Sequence, residues 1–369
     1  MSVPLAKHNL LHERGKLIIS LASIAAAIAL TLLLLGFKAG LYSTLTAFID
    51  HAGADIIVAQ SGVEGLFTSN SSLPLAIHDE LANAVGATEA GHIAVADIIF
   101  TYGDTKTPVL LVGFDPNTPF GQPWKIGEGR SVRADDEILL DSWLAQKAGV
   151  TVGDEVSVLD RRFRVVGLTQ ETASWMSPYI FVSLDAATAA LRLNQTVSYH
   201  LLRLPSEVDI PAAVASIQQQ VPGVEALTPD DIADADSRVL ATIMDTPLNV
   251  MIVIGVVIGA AVMGLTAYTS VTDRMREYGV LMAIGAGGGR LAWLATVETL
   301  YRAVLAYLLG AAFAYLAAWL IMANWPQFSI VIQPVTLGSA AFLTLIMTGL
   351  AALFPIYRIK GIDPALVFR

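Results

Sequence analysis

The sequence has no cysteine, which excludes a disulfide framework and thiolate chemistry. It does not exclude a domain outside the cytoplasm, because large domains fold without covalent staples. Charge is scarce as well: 15% of the 369 residues are charged against 54% hydrophobic, too apolar a balance for a soluble domain of this length. Nucleotide and catalytic signatures are missing too. There is no GxxxxGK[ST] phosphate-binding loop, no HExxH and no GxSxG, and "SGVEG" at 61–65 lacks the central serine. "GAGGG" at 285–289 fails as a dinucleotide fingerprint, since Arg290 takes the third glycine position and no strand precedes it; a flexible reversal is the plainer reading.

What the chain has instead is long apolar runs. Four are long enough to cross a hydrocarbon core of about 20 helical residues: "LIISLASIAAAIALTLLLL" from 17, "PLNVMIVIGVVIGAAVMGLTAYTSV" from 247, a third from about 291 to 323 and a fourth over 335–357. The first follows Lys7, Arg14 and Lys16 as a secretory signal would, but it is too long for a signal core and no small-x-small cleavage site follows, so it reads as a retained anchor. Lys and Arg orient the chain. Lys7, Arg14 and Lys16 precede span one, Arg274, Arg276 and Arg290 lie between spans two and three, and Arg358, Lys360 and Arg369 follow span four, while the loop "NWPQFSIVIQP" has none. By the positive-inside rule both termini and the Arg274 loop are cytoplasmic.

The expected fold is therefore an α-helical membrane protein with four transmembrane helices and a large α+β extracytoplasmic domain inserted between helices 1 and 2. Its parts are a cytoplasmic segment (1–16), span one (17–37), the outer domain (38–246), span two (247–272), a cytoplasmic helix and loop (273–290), span three (291–323), an outer loop (324–334), span four (335–357) and a cytoplasmic tail (358–369). The outer region carries 12 basic against 27 acidic residues, which argues against nucleic acid as a partner. Within it "ADIIVAQ", "TPVLLVGF" and "SYHLLRL" read as strands, and "VGDEVSVLDRRFRVVGLT" reads as a hairpin turning at Asp160-Arg161. "IHDELANAVGA" and "IPAAVASIQQQVPGV" read as amphipathic helices ending near Gly86 and Pro222. His51, His78, His92 and His200 stand singly in sequence and read as surface or packing histidines, so no metal site is expected. Asp135-Asp136 reads as a solvated turn and Asp230-Asp231 as a helix start.

From Asp273 to Ile284 the periodicity is helical, with Met275, Tyr278, Leu281 and Met282 or Ile284 on one side and Arg274, Arg276 and Glu277 on others. Such a helix either lies on the inner leaflet or docks into a cytosolic partner. Inside span three, Glu298 and Arg302 are four apart and can pair on one helix face, as a structural pair or in contact with a substrate. Gly255 and Gly259 form a GxxxG suited to close helix packing, within a protomer or between two.

"REYGVLMAIGAGGGRL" resembles the RE-x-G-h-L-x-A-I-G-A segment (h hydrophobic) of the MacB/FtsX-like ABC transporter permeases, and the ending "GIDPALVFR" resembles their DP-A-x-A-L-R tail. The order of one span, outer domain and three spans, together with the "VGDEVSVLDRRFRVVG" hairpin, extends the similarity over the whole chain. Tyr278 stands where Ile is usual, and the tail ends in Phe368-Arg369 where Leu-Arg is common. Short four-span DevC-like or haem-export-like members look closest. The resemblance implies a non-catalytic permease subunit of the bacterial inner membrane. In it Arg274, Met275, Arg276, Glu277, Tyr278, Gly279, Val280, Leu281, Ala283, Ile284 and Gly285 would form a coupling helix against a separate ABC-type ATPase subunit that binds ATP and Mg. This chain itself would hold no cofactor. A second permease copy in a homodimer and a membrane-fusion adaptor are the other implied partners beside the lipid bilayer. The work implied is export or extraction of a substrate by mechanotransmission, with an FtsX-like scaffold that regulates a cell-wall hydrolase as the alternative.

Overall fold

The computed structural model describes residues 14–66, 70–172, 177–325 and 327–360. Lys7 and the "GIDPALVFR" tail motif lie outside the described residues. By internal contacts the chain forms two units, a helical one (1–39, 245–324, 330–369) and a mixed one (40–244, 325–329).

In the helical unit four helices are long and apolar enough to cross a membrane. They are α1 (Arg14–Asp50), α6 (Pro229–Asp273), α8 (Gly288–Asn324) and α9 (Pro334–Lys360), with the short α7 (Met275–Ala283) between the middle two. Alanines on several helices make close packing possible: Ala25, Ala29, Ala260, Ala303, Ala306, Ala314 and Ala351 are buried beside Ile28, Leu32 and Met347. Other sides stay bare, with Val253, Val257, Leu308 and Trp319 each more than half exposed, as lipid contact requires.

Two helices outrun the spans read from hydropathy. Helix α1 continues from 37 to Asp50 because Leu41, Leu45, Phe48 and Ile49 recur at three- and four-residue spacing and are buried in the mixed unit. Helix α6 starts eighteen residues before Pro247, at a reciprocal cap. Thr228 Oγ1 accepts from the Asp231 N–H at 3.1 Å, and Asp231 Oδ2 accepts from the Thr228 N–H at 3.0 Å. Pro229 at the first turn sacrifices no helical bond. Pro247 was read as a boundary but sits inside the helix, where it takes a partner only from the Ile243 carbonyl.

The mixed unit is an α+β fold. Its strands are β1 (Ile56–Gln60), β2 (Leu73–Pro74), β3 (Glu89–Tyr102), β4 (Thr105–Phe114), β5 (Ile126–Gly129), β6 (Glu137–Asp141), β7 (Glu155–Val158), β8 (Arg161–Thr169), β9 (Tyr179–Ser183), β10 (Thr196–Val197), β11 (Tyr199–Arg203) and β12 (Val224–Leu227). Its helices are α2 (His78–Val85), α3 (Ser142–Ala148), α4 (Leu184–Ala190) and α5 (Ile210–Gln220). Among the described residues the main sheet runs β12-β1-β11-β3-β4-β9-β6-β8-β5, with β7 on β8. Among the described residues only β4–β9 and β6–β8 pair in parallel.

The 14-residue β3 serves two lobes: its first five residues pair with β11 and the rest with β4. Beside the first half, α2 and α5 bury Leu81, Ala213 and Ile217 against Ile56, Val58 and Leu202. Beside the second, α3 and α4 bury Leu144 and Ala187 against Val109, Leu140 and Val182. The hairpin forms where the alternation placed it, but it turns at Leu159-Asp160, one residue earlier than read. Both residues have positive φ (49° and 63°), the backbone a two-residue hairpin turn demands. Helix α2 ends at Gly86 (φ 61°), as glycine at that position predicts.

One ion pair in this unit sets a pH dependence. Glu137 receives Arg130 Nη1 at 2.7 Å and the Arg133 N–H at 2.8 Å, and these bonds to the carboxylate hold its pKa down to about 2 from an ordinary 4.5. A depressed carboxylate pKa stabilises the fold above the unfolded value and loses that contribution as pH falls from about 4.5 toward 2. Arg130 is 41% exposed, so solvent screening limits the effect to less than about 1 kcal/mol. Urea melts across that pH window are expected to show Glu137→Gln less acid-sensitive than wild type by this amount. Parallel curves for the two proteins would mean the pair contributes nothing.

Candidate functional site

The segment joining α6 to α8 is built as a docked helix. Helix α7 ends in a Schellman cap: the Ala286 N–H donates to the Leu281 carbonyl at 2.9 Å and the Gly285 N–H to that of Met282 at 3.0 Å, with Gly285 at φ 100°. Glycine at 285 is thus needed for the helix stop, and the following glycines open the reversal into α8. Tyr278 and Gly279 are buried and Met275 and Met282 partly so. Tyr278 packs with Val271, Leu291, Ala295 and Ile359, and Met282 lies against this cluster.

This packing revises the amphipathic pattern. The period puts Leu281, with Met282 or Ile284, on the apolar side of Tyr278; Met282 is the one that packs, while Leu281 is 37% and Ile284 76% exposed, and Val280 and Ala283 are exposed with them. A nine-residue helix has room for one buried stripe, and the stripe at 275, 278/279 and 282 takes it. The free side carries Arg276, Glu277, Val280, Leu281, Ala283 and Ile284, both charged and apolar.

Arg274, the residue before α7, ties this segment to the ions in α8. Glu298 and Arg302 do pair, Arg302 Nη2 donating to Glu298 Oε1 at 2.6 Å. Arg274 Nη1 adds a second cation to the same oxygen at 3.3 Å, and Arg302 Nη2 also donates to Ser270 Oγ on α6 at 2.9 Å. Glu298 and Arg302 side chains are 8% and 10% exposed. The helical period sets Arg274 off the apolar side and says no more, since no local spacing reveals a partner 24 residues away.

The GxxxG glycines pack inside the chain. A Cβ at Gly259 would lie 2.9 Å from Met347 Sδ on α9 and 3.4 Å from the Ala27 Cβ on α1; at Gly255 it would meet only Thr31 Oγ1 at 3.6 Å. A tighter crossing, missed in sequence, is at Gly310, where a Cβ would lie 2.8 Å from the Ala25 carbonyl oxygen.

The histidine reading changes most. His51 stacks on Trp124, but His78, His92 and His200 are not scattered: one ring nitrogen from each lies within 4.8 Å of the others.

Comparison with known proteins agrees with this architecture. The model of the MacB-like periplasmic core domain matches residues 17–220, and that of the FtsX-like permease C-terminal region matches 249–364. The chain belongs to the MacB/FtsX-like family of ABC transporter permeases. Two uncharacterised ABC transporter permeases of Mycobacterium tuberculosis (strain H37Rv) are similar, 26% identical over 358 residues and 25% over 360, each alignment covering 96% of both chains. Among solved structures, the periplasmic region of MacB from Actinobacillus actinomycetemcomitans is similar at 13% identity and a TM-score of 0.39, over 51% of this chain and 94% of that one. The extracellular domain of the ABC-type transporter YknZ from Gram-positive bacteria is similar at 14% and 0.37, over 48% of this chain and all of that domain. The chain is thus a multi-pass membrane protein of permease type.

Proposed function

We propose that this chain is the membrane subunit of an exporter or extractor worked by mechanotransmission, and that α7 receives the stroke of a separate ATPase subunit that binds ATP and Mg. The observation that carries the reading is the division of α7. Its inner stripe is packed and its lead residue is bonded to Glu298, while Val280, Leu281, Ala283 and Ile284 present an unpacked surface beside Arg276 and Glu277. A helix fixed on one side and open on the other transmits force from whatever binds its open side. The Lys and Arg distribution supports an inner-membrane orientation with both termini and α7 in the cytoplasm. Two copies of the chain would pair with two ATPase subunits.

The decisive variant is Ala283→Trp. A packed interface resists inserted bulk at roughly 1–3 kcal/mol, whereas a helix lying in the lipid interface accepts tryptophan readily. Co-purification of the ATPase is expected to be lost with Ala283→Trp, weakened by Arg276→Ala and kept with Leu281→Met. Gly279 is buried, so a large residue there would disturb α7 itself and tell little about docking. Undiminished ATPase binding and coupled turnover in Ala283→Trp would remove the coupling role and leave a lipid-surface helix.

A further inference from the structure

Antiparallel pairing of β3 with β11 sets His92 directly opposite His200, and Val58 of β1 continues the same cross-strand row. Both rings therefore stand on the face that α2 and α5 cover. His78, the first residue of α2, brings the third ring, and the three centroids are 5.2, 5.6 and 6.0 Å apart.

The hydrogen bonding fixes what these rings offer. His200 Nε2 lies 3.2 Å from the Pro74 carbonyl, which can only accept, so the proton is on Nε2 and Nδ1 presents a lone pair. That Nδ1 is 3.4 Å from His78 Nδ1, while His92 Nδ1 is buried with no hydrogen-bond partner among the described residues. A histidine whose far nitrogen is held by a backbone carbonyl has the arrangement of a metal ligand. Two nitrogens bound to one tetrahedral zinc at 2.0–2.1 Å are about 3.3 Å apart, close to the 3.4 Å between His78 and His200, and the third ring has to draw in from within 4.8 Å. Rings that merely pack would leave no reason for the orphaned His92 nitrogen.

From this geometry we infer that His78, His92 and His200 form a site for one divalent cation of the imidazole-preferring class, zinc or copper, that fastens α2 to strands β3 and β11. Burial lowers the pKa of both His92 and His200, the latter to about 4, which keeps both rings neutral and their lone pairs available. An open pocket of about 670 Å³ reaches His92 and is lined by Asp115, Asp135 and Asp185 with Arg133, so its balance is acidic. It gives a cation a route in past His92.

The test uses the full chain, stripped with chelator and reconstituted in nanodiscs, titrated calorimetrically with Zn²⁺ alone. One Zn²⁺ per chain is expected, with an affinity at least about tenfold weaker in His78→Gln and in His92→Asn. Both positions are partly exposed, and a melt without metal checks that each variant folds. His51→Gln should leave the affinity unchanged. Independently of any variant, Cu²⁺ bound to the wild-type chain should give nitrogen superhyperfine lines in its paramagnetic resonance spectrum. No Zn²⁺ uptake, equal affinity in all variants, or an all-oxygen Cu²⁺ signal would overturn the site.

Discussion

Glu298→Gln is expected to destabilise the chain by roughly 3–5 kcal/mol, more than Arg302→Gln and more than the two changes together. Glu298 is the shared acceptor for two guanidiniums, and its side chain is 8% exposed. Neutralising it leaves Arg302, itself 10% exposed, without a carboxylate in a place where water cannot replace it. Arg302→Gln is milder, because Arg274 still neutralises Glu298 at 3.3 Å. The double variant removes both members of the more deeply buried pair, and the cation that loses this carboxylate is then only Arg274, 19% exposed, in place of the nearly buried Arg302. Unfolding of the three variants in nanodiscs forms a double-mutant cycle, and additive losses would show that the two residues do not interact. Because Arg274 leads into α7, the coupling role proposed for that helix predicts that Glu298→Gln also lowers coupled ATPase turnover at temperatures where the variant is still folded.

Gly310→Leu is expected to cost about 3 kcal/mol, and Gly349→Leu, on the neighbouring helix α9, very little. A Cβ at 310 would meet the Ala25 carbonyl oxygen at 2.8 Å and Ile28 Cβ at 3.1 Å. Backbone and the stem of a β-branched residue cannot swing aside, so α1 and α8 would have to separate. Gly259 is the instructive contrast: the obstacle there is the end of Met347, which can change rotamer, so Gly259→Ala should be tolerated. A Cβ at Gly349 would meet nothing within 4 Å among the described residues outside its own helix backbone. Thermal unfolding of the reconstituted chain separates these cases, and equal melting temperatures for the 310 and 349 variants would contradict the tight crossing.

The architecture was legible because it depends on local signals. Twenty-residue apolar runs announce the spans, alternation around Leu159-Asp160 announces the hairpin, and Gly86 and Gly285 mark helix ends. What sequence hid depends on pairing at a distance. Helices α1 and α6 run beyond their apolar spans because hydropathy changes at 37 and 247 while the helical period does not. The outward turn of Leu281 and Ile284 follows from which stripe of α7 finds a hydrophobic surface, a tertiary choice that periodicity leaves open. Arg274 reaches Glu298 across a helical reversal. The histidines were unreadable for the same reason: 92 and 200 are neighbours only through the β3–β11 register, and 78 only once α2 lies on that sheet.

The position of β1 in the sheet has a consequence for biogenesis. Val58 pairs with His200 and Ala226, so a strand made early must wait about 140 residues for its first neighbour and longer for its second. Until those partners are made, "IIVAQ" is an apolar segment with both hydrogen-bonding edges unsatisfied. Closing so long a loop is slow, and open edges invite association with other chains. The lobe made of β4, β6, β8 and β9 draws on closer stretches of sequence, so the seating of β1 between β11 and β12 is expected to come late in folding.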